Sequence, residues 1–230
     1  MSRLLSLLLA CLLLGFSLAA CGGDDDEPEA EATATATATP EDTGGEQASG
    51  CQPVGAAKPK QVDVPKPKEK LDPSKTYVAT VKTNCGEFQI TLDAKRAPKT
   101  GGAFKALADA GFYDGTPFHR IVPGFVIQGG DPQGNGTGGP DWSVVEAPPQ
   151  DLAYTKGVVA MAKTATEAPG TSGSQFFVVT GEDVGLPPDY AIIGTVTDGL
   201  EVVDEIGKLG GADELPTEDV TIEKATVTES

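Results

Sequence analysis

In a chain of 230 residues, 34 acidic side chains outnumber 17 basic ones, leaving a net charge of −17. No basic patch offsets that charge, so nucleic acid is not an expected partner. The single histidine, His119, excludes a histidine-rich metal site and narrows the scope for nucleophile–histidine chemistry.

Residues 1–20 begin with a basic residue, Arg3, continue through an apolar run and end in small residues, the pattern of a signal peptide. Leu18-Ala19-Ala20-Cys21 resembles the lipobox of bacterial lipoproteins, in which Cys21 carries the lipid and becomes the N-terminus. An uncleaved membrane anchor is the alternative, although the run is short of the roughly 20 residues a bilayer span needs. Residues 21–75 read as a linker. The part up to residue 50 has almost no large apolar side chain and is expected to be disordered. The stretch from Lys58 to Lys75 is rich in Lys and Pro and is expected to run extended. Cys51 and Cys85 remain as an even pair in an oxidising compartment, which predicts a disulfide, with two unpaired thiols as the alternative.

Residues 76–230 form the expected globular domain. YVATVKT (77–83) and EFQITL (87–92) alternate around a turn at Asn84-Cys85-Gly86 and predict a hairpin. The period then changes. Ala103, Phe104, Leu107 and Ala108 share one face of a helix predicted over 97–111, with Pro98 near its start, Gly111 at its end and Gly101-Gly102 weakening its first turn. The segment FHRIVPGFVIQGGD (118–131) is strand-like but carries Arg120 and Gln128, and a glycine-rich loop from Gly129 to Gly139 follows. Strands are predicted at 157–162, 175–180 and 191–196, a helix at 199–209 with Val202, Val203 and Ile206 at helical spacing, and a last strand at 219–229. Many short strands with two isolated helices predict a closed antiparallel barrel, which removes exposed strand edges.

Several chemistries are absent from the sequence. It has no Gly-x-Ser-x-Gly elbow, no GxxxxGK[ST] loop and no GxGxxG after a strand. GNGTGGP (134–140) has no helix behind it and reads as a loop rather than a phosphate cradle. What remains is Arg120, Gln128 and Gln175 among Phe125, Phe176 and Phe177, with alternation placing Gln175 and Phe177 on one strand face. Taken singly, each has a plainer reading: a barrel arginine paired with a buried acid, core phenylalanines, and glutamines that satisfy loop backbone.

Taken together, GFYDGTPFHR, FHRIVPGFVIQGGD, GVVAMA and SGSQFFVVT resemble, in order and approximate spacing, the cyclophilin-type peptidyl-prolyl cis/trans isomerases over about residues 76–228. The resemblance implies a mainly β fold, a closed eight-stranded antiparallel barrel capped by two α-helices, with side chains filling the interior and the site on the outer wall. It implies that Arg120 is the catalytic arginine and that Gln128 orients it and the substrate carbonyl. Phe125, Val126, Phe177 and Leu186 wall the proline pocket, Ala162 and Lys163 hold the peptide through backbone, Gln175 forms a second polar edge, and Tyr190 stands where many members have histidine. It implies no role for His119 as acid or base, no cofactor and no metal.

The sequence departs from the family in places. Gly185 replaces a tryptophan that in several eukaryotic members contacts cyclosporin, so weak cyclosporin binding is expected. Ile193 replaces a common phenylalanine and Lys163 a common asparagine, and Gly101-Gly102 replaces larger residues. Asp131 and Trp142 have no assigned role. The expected protein is a monomeric, lipid-anchored isomerase on the extracytoplasmic side of the cell membrane, acting on X-Pro bonds in unfolded or exported proteins. The alternative is a non-catalytic chaperone or scaffold module that binds proline peptides.

Overall fold

The structure is a computed structural model that describes residues 50–230. The expected signal peptide, the lipid-bearing Cys21 and the linker up to residue 49 lie outside the described residues. Among the described residues, no helix is long and apolar enough to cross a membrane.

Eight strands form one antiparallel sheet. In chain order they are β1 (Tyr77–Thr83), β2 (Gly86–Leu92), β3 (Arg120–Val122), β4 (Val126–Gly129), β6 (Val158–Met161), β8 (Phe176–Val179), β9 (Ile192–Asp198) and β10 (Ile222–Glu229). Two further strands, β5 (Val144–Val145) and β7 (Thr171–Ser172), pair with each other and were not expected. The order across the main sheet is β10-β1-β2-β9-β6-β8-β4-β3. Helix α1 (Pro98–Asp109) packs on β10 and β5, and α2 (Leu200–Gly207) packs on β2, β3 and β4.

The expected closed barrel is corrected. The sheet is a curled, open half-barrel whose end strands, β3 and β10, do not pair with each other. β3 is three residues long, and the chain just before it meets the β10 side through an isolated bridge between Pro117 and Thr221 rather than a continuous ladder. Single backbone bonds partly span the gap, from Gly115 to Ile222, from Ile222 to Thr116 and from Phe118 to Val220, at 2.6, 2.9 and 2.8 Å.

Strand alternation sorts the side chains. The concave face buries Phe88, Ile90, Ile121, Ile127, Val159, Met161, Phe176, Val178 and Ile193 in one core with Phe104 and Leu107 of α1 and Val203 and Ile206 of α2. Phe176 is an aromatic hub, with its ring 5.7 Å from both Phe104 and Tyr113 and 6.0 Å from Phe118, all near edge-to-face. Losing a side chain in such a place costs about 3–5 kcal/mol. The convex face carries a second apolar cluster around Val126, Tyr154, Ala160, Phe177, Val179 and Ile192. At the tip of one loop, Glu214 has φ 65°, a left-handed conformation that costs an L-residue about 1–2 kcal/mol.

The segment 51–75 has no helix or strand, yet it is fastened along the domain as a strap. Cys51 is disulfide-bonded to Cys85 in the β1–β2 turn, and Asn84 of the same turn exchanges hydrogen bonds with Gln52. The Lys60 ammonium donates to the carbonyls of Gly111 and Asp114. The indole of Trp142 donates to the Val64 carbonyl at 2.6 Å, which gives that side chain a role. Leu71 is buried, and its N–H bonds to Pro98 at the start of α1. This contact explains Gly101-Gly102. A Cβ on Gly101 would stand 2.5 Å from the Leu71 side chain, and one on Gly102 would stand 2.5 Å from the Glu69 carbonyl. The helix trades propensity for close approach of the strap. Its first turn is capped from outside, because the Glu146 carboxylate accepts from the N–H groups of Lys99 and Thr100.

The disulfide closes a separation of 34 residues. Cross-linking a loop of that length removes unfolded-state entropy equivalent to about 3–4 kcal/mol. Urea melts of oxidised and reduced protein are expected to differ by that amount, and coincident melts would show that the strap adds nothing.

Candidate functional site

The convex face holds the candidate site because the pairing register puts one row of side chains across four strands. Arg120 of β3 faces Gln128 of β4, Gln128 faces Phe177 of β8, and Phe177 faces Ala160 of β6. Their chain neighbours Ile121, Ile127, Phe176 and Met161 point into the core. Period-two alternation thus separates a dry face from a working face.

A shallow groove of about 200 Å³ lies along this row, lined by Arg120, Phe125, Val126, Gln128, Ala162, Lys163, Phe177, Leu186 and Tyr190. Of the residues expected to form the groove, only Gln175 is not part of the lining; it stands behind it. Gln128 donates to the side-chain oxygen of Gln175 at 3.0 Å, and Gln175 donates in turn to the carbonyls of Gly136 and Gly138 at 3.0 and 2.9 Å. Gln175 therefore satisfies loop backbone, as its plainer reading had it, and also fixes Gln128.

The apolar floor is built from Phe177, 4 % exposed, and Val126, 2 % exposed, with Phe125 and Leu186 half-buried beside them. The Tyr190 ring meets Phe177 edge-on, with centroids 5.5 Å apart. Tyr154 holds it there: the Tyr154 hydroxyl donates to the Tyr190 carbonyl at 2.6 Å and accepts from the Tyr190 N–H at 3.0 Å. The Lys163 ammonium lies 5.3 Å from the centre of the Tyr190 ring, a cation–π contact at the rim. The Ala162 N–H is committed to the Gln175 carbonyl at 2.8 Å, so it is not a free donor for a bound peptide. At Gly185, φ is 61° and a Cβ would meet nothing within 4 Å, so that end of the groove is open.

Arg120 is held from two sides. Its guanidinium carbon lies 5.9 Å from the centre of the Phe125 ring. Its Nε donates to the Glu214 carboxylate at 2.6 Å. Sequence reasoning missed both Tyr154 and Glu214, because their role depends on contacts across 36 and 94 positions of chain.

Asp131, at the end of the motif, organises the loop behind the site. It is fully buried, and its carboxylate accepts from the N–H groups of Gln133, Asn135 and Gly136 at 2.7, 3.0 and 2.6 Å. Burial alone would raise the pKa of this carboxyl, but these bonds and one from Gly138 hold it below its usual range. Gly138 must be glycine, since a Cβ there would lie 2.1 Å from the Asp131 oxygen.

His119 is also buried, and neither ring nitrogen has a hydrogen-bond partner among the described residues. Burial pushes the imidazole below its usual range, Asp131 opposes that, and the charge of Arg120 lowers it further. It is therefore neutral at pH 7 and makes no hydrogen bond to any group of the site.

The family model described as cyclophilin type peptidyl-prolyl cis-trans isomerase/CLD matches residues 78–227. Peptidyl-prolyl cis-trans isomerase A of Mycobacterium tuberculosis is 37% identical over 174 residues, 67% of this chain and 94% of that one. Peptidyl-prolyl cis-trans isomerase B of Streptomyces anulatus is 40% identical over 169 residues, 65% of this chain and 95% of that one. A crystal structure of a Cryptosporidium parvum cyclophilin type isomerase aligns with a TM-score of 0.62 at 31% identity, covering 66% of this chain and 98% of that one. A second structure of that protein, in the presence of the dipeptide Ala-Pro, aligns with a TM-score of 0.60.

The neutral, buried His119 generates a pH test. Unfolding frees an imidazole of ordinary pKa, 6.5, that takes up a proton the folded one does not. Stability therefore falls as pH drops below about 6.5. His119→Phe, which removes two unpaired polar atoms, is expected to be at least as stable as the parent and to flatten the profile between about pH 5 and 7. An unchanged profile in urea melts would contradict this account.

Proposed function

The chain belongs to the cyclophilin-type peptidyl-prolyl cis-trans isomerase family, and from that premise we propose that its convex groove rotates X-Pro bonds in exported, unfolded proteins, from a lipid anchor at Cys21 on the extracytoplasmic side of the cell membrane. The observation that carries the catalytic part is one juxtaposition. A permanently charged donor, Arg120, stands over an apolar floor of Phe125, Val126 and Phe177, with Gln128 facing it across the β3–β4 pair.

That arrangement suits an amide rotation. The barrier to rotation is about 18–20 kcal/mol and comes from resonance. X-Pro bonds exchange over tens of seconds or longer although the two isomers differ little in energy. As the bond twists, resonance is lost and the proline nitrogen regains a lone pair. A fixed cationic donor stabilises that state and neither planar form, which is differential binding of the transition state. The proline ring is gripped by Phe125 and Phe177 while the preceding carbonyl swings past Gln128. No covalent bond breaks, and nothing in the sequence of steps calls for a nucleophile or a proton transfer. Arginine suits the role because it stays charged at every working pH and its planar fork is readily held.

The anchor and the destination are supported by the sequence alone, by the apolar leader and Leu18-Ala19-Ala20-Cys21. Fatty-acid labelling of the parent and of Cys21→Ser tests them: label is expected in the parent and absent in the variant. The open end of the groove at Gly185 supports weak cyclosporin binding. Nanomolar inhibition would refute it.

Arg120→Ala is expected to lower cis-to-trans exchange of a short X-Pro peptide by about 10²–10³ while leaving the thermal midpoint near the parent value. Near-parent exchange in that variant would overturn the catalytic reading. Peptide binding without faster exchange in the parent would favour a binding module.

A further inference from the structure

Glu214 is the one non-glycine residue with positive φ among the described residues. An L side chain is disfavoured there, and glycine fits without strain. The loop around it does not need its side chain. The Glu214 N–H bonds to Gly211, the Gly211 N–H bonds to Leu215, the Leu215 N–H bonds to the Asp213 carboxylate, and Gly210 bridges to Pro216. Every one of these bonds survives loss of the Glu214 carboxylate.

What the carboxylate does touch is Arg120, at 2.6 Å through Nε. The Glu214 carbonyl meanwhile accepts from the N–H of Ile121, the next residue, at 2.9 Å. One residue thus grips the open edge of β3 twice, once through backbone beside the arginine and once through the arginine itself. Backbone strain at a position whose side chain does nothing for its own loop is the mark of a residue kept for what it contacts. The pair is exposed to solvent, with side-chain exposures of 32% and 52%, so it contributes little to folding.

We propose that Glu214 is a positioning residue for Arg120. Its carboxylate fixes the guanidinium through Nε and leaves the Nη1 and Nη2 donors for the twisting bond. A long, rotamer-rich side chain is then ordered before substrate arrives, and that ordering is not charged against the transition state. This inference rests on the reading of Arg120 as the catalytic group.

The test compares the full chain with Glu214→Gly, Glu214→Gln and Arg120→Ala, measuring kcat and KM on an Ala-Pro peptide, the thermal midpoint and the salt dependence. Glu214→Gly relieves the strain and removes the carboxylate. Its kcat is expected to fall about five- to tenfold with KM changed less than about twofold, and its midpoint to match or exceed the parent's. Glu214→Gln keeps the length and the acceptor oxygen and is expected to restore part of the loss. Rising salt should lower the parent toward Glu214→Gly and leave that variant unchanged. Parent-level kcat in Glu214→Gly, or a loss matched by a fall in midpoint, would overturn the proposal. If Glu214→Gly is fully active while Arg120→Ala is dead, only this inference fails. If Arg120→Ala is also fully active, the catalytic reading fails with it.

Discussion

The position of β4 between β3 and β8 is the constraint on which the rest depends. Its register places Gln128 between Arg120 and Phe177, and it places Ile127 between Ile121 and Val178. The two rows sit one residue apart and face opposite ways. A slip of one residue would carry Arg120 and Gln128 into a core of phenylalanine and isoleucine and expose Ile121 and Ile127 to water. Burying an unpaired guanidinium in such a core is prohibitive. The packing of the concave face therefore sets the geometry of the convex one. With the interior filled by Phe176, Met161 and their neighbours, the outer wall is where a groove can form.

Behind the groove runs a second, polar line of control. Asp131 gathers the N–H groups of the following loop, and that loop turns the carbonyls of Gly136 and Gly138 toward Gln175. Gln175 holds Gln128, which faces Arg120. The strap joins the same line, since the Lys60 N–H bonds to Pro132 and the Gln133 side chain bonds to the Lys60 carbonyl. At the root of this line is Asp131, a fully buried carboxylate whose charge the loop's backbone bonds satisfy. On the other flank, Arg120 is held by Phe125 and Glu214, which belong to no part of this line. The two central side chains are thus fixed by separate elements.

Much of this was legible in the sequence because it rests on local pattern. Alternation gave β1 and β2 nearly to the residue, and Ala103, Phe104, Leu107 and Ala108 mark the buried face of α1 as spacing required. Of the groove residues that the family resemblance implied, all but Gln175 line the groove. What was not legible depends on contacts between distant segments. The Lys- and Pro-rich composition of 58–75 says extended, and it is silent on whether an extended segment docks. Gly101-Gly102 read as a weakness of the helix, and its reason appears only when Leu71 and Glu69 are set against it. β5 and β7 are two residues each, too short for any period to register. Closure failed at one short strand, a detail that a count of strands does not weigh. Glu214 has no sequence signature, since a left-handed glutamate is contrary to local preference.

The strap also changes what the linker does. Under the proposed anchor at Cys21, a spacer that ended where the sheet begins would run from residue 21 to residue 76. The Cys51–Cys85 disulfide and the contacts of Lys60, Val64 and Leu71 tie residues 51–75 to the domain. The chain between anchor and domain is then about 30 residues, and at about 3.3–3.6 Å per residue it spans at most about 100 Å when fully extended. The tied segment meets the loop that supports Gln175 rather than the groove itself. Tension on the anchor would therefore arrive first at Cys85, in the β1–β2 turn and outside the row of Arg120, Gln128 and Phe177. Under that proposed anchor, the disulfide would let the protein be held at one end without straining the register of the groove.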